Sequence, residues 1–219
     1  PEVGAVSGDL VLGTARGPGF YWSYERRIRL AESAVDSVVG GSGCFLGVRR
    51  ALFRELPVAT LLDDMITPLQ VVLQGKRVLH RPEIKVYDRE AALEGEFARK
   101  ARTLAGNFQL IRLMPELLDP RVNRLLPQLL SHKLARLACP YALVALYGSN
   151  LWLVATLAPG WPFYLATLVG QTAGYGLAAW GAWRGPAAGS LARAAQTFVV
   201  LNAAAVEGLR RYWRGDFSW

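Results

Sequence analysis

The chain has 219 residues, 52% of them apolar, and a formal net charge of +8 at pH 7. That length fits one ordinary domain with an appendage, and the apolar share is above the usual one for a soluble protein. No basic stripe interleaved with aromatic residues forms a DNA or RNA module, two distant cysteines (Cys44, Cys139) exclude a disulfide framework, and His80 and His132 lack partners at zinc-ligand spacing.

Residues 3–12 have the short β-branched character of a strand, interrupted by Gly8 and ended by Gly-Pro-Gly at 17–19. A helix follows over 21–38, with apolar positions at Tyr21, Tyr24, Ile28, Ala31, Val35 and Val38. Glu25 and Arg29 then form an i,i+4 pair on its outer face. Its aromatic start and basic turn, Tyr21, Trp22, Tyr24, Arg26, Arg27 and Arg29, read either as a membrane-surface contact or as part of an ordinary amphipathic helix packed on a sheet. Residues 40–50, GGSGCFLGVRR, couple a glycine-rich turn to a short apolar strand and a basic helix start. They lack the Lys-Ser/Thr ending of a phosphate loop, and they lack GxGxxG. Gly43 and Cys44 read either as a plain tight turn or as a place where a ligand meets the backbone closely.

The chain is organised around LLDDMITPLQVVLQGKRVL, residues 61–79. Two adjacent carboxylates, Asp63 and Asp64, stand ahead of a helix that the pattern starts at Thr67 as N-cap, with Pro68 at the first helical position, Gln70 completing a capping box and Gly75 closing it. A carboxylate at that position lies near the positive end of the helix, which suits a general base held on a rigid element. The plainer reading is that both aspartates only cap the helix. Strands are expected over 77–79 and 83–87, and the stretch 88–93 leads into a helix. On it Arg99 and Arg102 share a face, either as a clamp for a diphosphate or as a solvated or lipid-facing basic patch.

Pro115, Pro120 and Pro127 break up a linker over 114–128. From 137 to 209 the only charges are Arg184, Arg193 and Glu207. Residues 137–158 and 161–183 are each long enough to cross a bilayer, and Pro159, Gly160 and Pro162 mark the turn of a transmembrane hairpin; a buried soluble helical pair is the alternative. Arg121, Arg124, Lys133 and Arg136 before the first span, with Arg184 and Arg193 after the second, put both ends on the cytosolic side. A third segment, 191–209, is weaker because it contains Gln196, Asn202 and Glu207, but Ala203, Ala204 and Ala205 favour close helix packing and a span.

Taken in order, these motifs resemble the C-terminal two-thirds of the membrane-bound family 2 glycosyltransferases, the group of hyaluronan, chitin, cellulose and poly-N-acetylglucosamine synthases. GAVSG resembles the strand after that family's metal-binding Asp-x-Asp, YERRIRLAES its Tyr-Glu helix, and GSGCFLGVRR its acceptor segment. LDD resembles the element whose second carboxylate, here Asp64, is the base, and RKAR takes the place of Gln-x-x-Arg-Trp, with Arg102 matching the arginine. The resemblance implies an α/β fold, the acceptor side of a GT-A catalytic domain over 1–113, then a linker or interfacial segment over 114–136 and membrane helices over 137–219. It implies an inverting transfer from a nucleotide sugar, a UDP-sugar by expectation, to a glycan or lipid-linked acceptor at the cytosolic face of the plasma membrane. Asp64, with Asp63 beside it, would be catalytic; Arg102 and Arg99 would bind the diphosphate; Gly43 and Cys44 would meet the acceptor. A Mg²⁺ or Mn²⁺ ion is implied too, with ligands upstream of Pro1, so that the chain reads as a piece lacking its nucleotide-binding half. Thr103 in place of the motif's tryptophan, and Arg99 in place of its glutamine, put polymer synthesis in doubt. The competing readings are a membrane anchor or partner subunit, and a transporter component using Asn202 and Glu207.

Overall fold

The computed structural model describes residues 2–12, 20–88 and 96–216. The turn at 17–19, residues 89–93, the side chains of Tyr21 and Trp22, and Trp219 lie outside the described residues. In chain order the elements are β1 (Val3–Leu12), α1 (Phe20–Val35), β2 (Leu46–Val48), α2 (Asp63–Leu73), β3 (Arg77–Asp88), α3 (Glu96–Leu113), α4 (Leu126–Gln128), α5 (Ala135–Ala155), α6 (Trp161–Arg184) and α7 (Gly189–Arg214). The described residues are thus mainly helical around one small mixed sheet.

That sheet has the order β2-β1-β3, with β2 antiparallel to β1 and β3 parallel to it. The two short strands expected over 77–79 and 83–87 are one continuous strand. Pro82 suggests a break because it has no N–H to give to a ladder, but β3 is an edge strand, where proline is tolerated. Gly8 faces Arg81 and Asp9 faces Lys85, so residues 82–84 are accommodated as an irregularity in the register.

The start of α2 also differs from the expectation. The helix begins at Asp63 with Leu62 as N-cap, and Pro68 lies inside it. Thr67 and Pro68 are buried in the helix body, so neither the cap nor the capping box forms there. Leu62 has no side-chain acceptor; its carbonyl takes the N–H groups of Met65 and Ile66, and Asp63 Oδ1 accepts the Asp64 N–H at 3.0 Å. Gly75 ends the helix as expected, with φ +76° and its N–H donated to the carbonyl of Val72.

Helix α2 is the hub of the core. Met65, Ile66 and Leu69 pack with Ala105, Leu110 and Met114, and Val71 and Val72 pack with Ala5, Val38 and Val78 of the sheet side. The segment 114–136 joins this core rather than hanging loose, since Leu117, Leu125 and Leu129 are buried in it. Residues 129–134 wind as a π-helical turn that leads directly into α5. Helix α7 packs along α3 through Ala204, Ala205 and Gly208; a Cβ at Gly208 would lie 2.9 Å from the Ala101 carbonyl oxygen.

Among the described residues, one helical run, Leu126–Ala155, is long and apolar enough to cross a membrane, and only 17% of its most apolar window is buried. Three spans were expected. Helix α6 dilutes its leucine and valine with glycine, alanine, glutamine and threonine, and α7 carries Gln196, Asn202, Glu207 and several arginines, so neither reaches the same apolarity. Helices α5 and α6 still expose large apolar side chains, among them Val144, Trp152, Val169 and Trp183.

Candidate functional site

The first part of the site is a loop clasped between β1 and α2. Ser7, fully buried on β1, accepts the Ser42 N–H on its hydroxyl at 2.9 Å, and the Ser42 hydroxyl donates to the Gly8 carbonyl at 2.6 Å. Cys44 Sγ lies 2.9 Å from that same hydroxyl. On the other side, the Gly41 N–H donates to the carbonyl of Asp64 at 2.7 Å. In a regular helix that carbonyl would take the N–H of residue 68, which proline lacks. Pro68 therefore frees an acceptor inside α2, and the glycine loop uses it.

This clasp sets the loop against a carboxylate. Gly43 adopts φ +73°, a conformation that side chains rarely take, and a Cβ built there would lie 3.5 Å from Asp64 Oδ2. Gly43 and Asp64 are thereby brought together, with Cys44 and Asp63 next to them in the chain. Asp64 is held above the usual carboxylate range, first by its burial and then by the neighbouring charge of Asp63; Lys133 and Arg29 act in the opposite direction. Asp63, the first residue of α2, is exposed and accepts the Asp64 N–H, so the two carboxylates have different surroundings.

The segment ahead of Asp63 is clamped from α3. Gln109 accepts the Leu61 N–H and donates to the Ala59 carbonyl, each at 2.9 Å. Substituting Gln109→Ala leaves the buried Leu61 N–H without its partner and frees the Ala59 carbonyl, and we expect a loss of about 1–3 kcal/mol in a denaturant titration. Helix α3 also carries the two arginines. Arg102 is half-buried one turn before Gly106, whose backbone abuts Leu62, and Arg99 lies exposed a turn further out. The structure thus puts Arg102 and Arg99 on the helix that flanks α2, not in the Asp64 cluster itself.

The second part of the site was not foreseen. Glu25 and Arg29 do form an i,i+4 pair, but at 6% and 9% exposure it faces inward, while Tyr24 (53%) and Val35 (78%) of the expected packing face are exposed. The reason is a set of partners about a hundred residues later. Glu25 Oε2 meets His132 Nε2 at 3.1 Å and Lys133 Nζ at 3.5 Å, and Glu25 Oε1 meets Arg136 at 3.8 Å. Glu32 Oε1 lies 2.8 Å from His132 Nδ1, and its other oxygen accepts the Val39 N–H at 3.3 Å. An imidazole with carboxylate oxygens at both nitrogens can donate to both only as imidazolium. The signal was present as two stripes: Glu25, Arg29 and Glu32 at helical spacing, and His132, Lys133 and Arg136 at the start of an apolar run. What was missing was any indication that these stripes meet.

Compared with protein-family models, with curated proteins and with solved structures, the chain finds no match. The site's own chemistry therefore has to carry the functional reading.

A third group lies beyond Ser7 on the same strand. Asp9 accepts Arg26 Nε at 2.6 Å, and His80 Nε2 stands 3.6 Å from its other oxygen. Burial, and then the charge of Arg29, hold His80 below the ordinary histidine range, so this buried ring is neutral at pH 7. Among the described residues no three His, Cys, Asp or Glu side chains converge as a metal site. The Mg²⁺ or Mn²⁺ that the resemblance implies has no ligand set of that kind among the described residues.

Proposed function

We propose that the chain is the acceptor-side part of an inverting glycosyltransferase working at a membrane surface, with Asp64 as its general base. The observation that carries this reading is one carboxylate of raised proton affinity, half-buried beside the Gly43 backbone. A general base works best when its proton affinity lies near the operating pH, and burial beside a like charge is how a carboxylate reaches that range. The acceptor hydroxyl gives its proton to Asp64 while its oxygen forms a bond to the anomeric carbon. The bond from that carbon to the nucleoside diphosphate breaks, and the diphosphate leaves with the electron pair. Arg102, with Arg99 outside it, is assigned to the departing diphosphate, since guanidinium groups pair well with its oxygens. Helix α5 would hold the site at the bilayer, and the UDP-sugar would arrive from the cytosol.

The test is nucleotide release in membranes carrying the full-length product of the gene, with a panel of UDP-sugars and Mg²⁺ or Mn²⁺. Wild type should release nucleotide on one of them, and product size then separates single transfer from polymer synthesis. Release that persists in Asp64→Asn would reduce both aspartates to helix caps and leave the membrane-anchor reading.

A further inference from the structure

A cavity of about 440 Å³ opens on the far side of the buried charge cluster, between α1, α3, the π-helical turn and α7. At one end it is lined by Glu25, Lys100, Ser131, His132 and Arg136, at the other by Phe198, Leu201 and Ala205. A second cavity, about 180 Å³, continues along the α5–α7 seam and shares Phe198 and Asn202 with the first. Its other walls are apolar, including Pro140, Leu143, Val144, Val199 and Val206. One part of this slot thus carries the cationic side chains Lys100 and Arg136 beside the Glu25–His132 pair, and the other is hydrocarbon. The apolar end runs along the helix suited to cross a membrane.

We propose that this slot binds a lipid monophosphate with a single hydrocarbon chain, its phosphate against Lys100 and Arg136 and its chain along the α5–α7 seam. The apolar section is too small for two acyl chains but takes the first part of one. Glu25 and His132 belong to both the slot and the buried charge cluster.

Cys139 lines the slot and Cys44 does not, so alkylation of the two cysteines reports on the site within one sample. The chain in phosphatidylcholine nanodiscs is treated with N-ethylmaleimide, alone or with farnesyl phosphate, farnesol or inorganic phosphate, and labelling is read by peptide mass spectrometry. Farnesyl phosphate should slow Cys139 labelling about tenfold relative to Cys44, while farnesol and inorganic phosphate change it less than about twofold. Lys100→Gln should raise the half-protecting concentration about tenfold, as loss of one charge-assisted contact does. Thr103→Trp, an exposed position whose enlarged side chain fills the slot, should abolish protection. Equal protection by farnesol, equal protection by inorganic phosphate, no protection at all, or protection unchanged in both variants would each overturn the proposal. The assay needs no donor sugar. Failed protection with intact Asp64-dependent transfer would defeat the lipid site alone, and protection without transfer would defeat the transfer reading alone.

Discussion

Asp64→Asn should lower transfer by at least about a hundredfold, the usual contribution of a positioned general base, and at the same time raise the melting temperature at pH 7. Both effects come from the same burial. The folded protein holds the Asp64 proton more tightly than the unfolded chain does, so this group's contribution to stability is fully present below the unfolded value of about 3.8 and is lost as pH rises through the higher folded value. At neutral pH the ionised carboxylate therefore costs stability, and asparagine removes that cost. The two melting temperatures should converge as pH falls. Circular dichroism melts at a series of pH values check this, and an asparagine variant less stable than wild type at pH 7 would contradict it. Asp63→Asn serves as the companion. Removing the exposed neighbouring charge should shift the acid limb of kcat/KM to lower pH with kcat largely kept, because Asp63 is one of the two causes that raise Asp64.

Glu25→Gln should cost about 3–5 kcal/mol, the usual penalty for stripping one partner from a buried ion cluster. Its carboxylate is met by His132, Lys133, Arg29 and Arg136 at 3.1, 3.5, 3.9 and 3.8 Å, and without its charge those groups face one another. Thermal unfolding in detergent measures the loss. A second change, Lys133→Met, should recover much of it in the Glu25→Gln background, and the double-mutant cycle isolates the pair. If Glu25→Gln is as stable as wild type, the cluster is not what ties α1 to the start of α5. The same variant carries a readout that a purely structural role would not move. With Lys133 and Arg29 less compensated, Asp64 should ionise more readily, and the acid limb of the activity profile should shift downward.

Several elements were legible in local pattern. β1 runs over the residues its β-branched character indicates, and Gly75 closes α2 at a positive φ as a glycine just past a helix end should. The site was legible in part. Gly43 and Asp64, which lie in two separate stretches, do come together, whereas Arg99 and Arg102 stand on the adjoining helix. Ser7 and Ser42, which clasp the loop, carried no signal, because a serine that bonds across 35 residues looks like any other in sequence. Pro68 misled for a definite reason. A proline in the first turn and a proline whose freed carbonyl is used by another segment have the same local appearance, and only the Gly41 N–H distinguishes them.

Periodicity and the placement of glycine and proline act over a few residues, so many strands and helices could be read from the chain alone, whereas of the three expected membrane spans only one run among the described residues, Leu126–Ala155, is long and apolar enough. Which face of α1 is buried was decided by the tertiary structure. The rule that charge points outward assumes that water is the best available partner, and His132, Lys133 and Arg136, brought in from the start of an apolar run, are better partners for Glu25 and Glu32 than water is. The same long-range contact sets the charges around Asp64, and so the proton affinity on which its proposed chemistry depends.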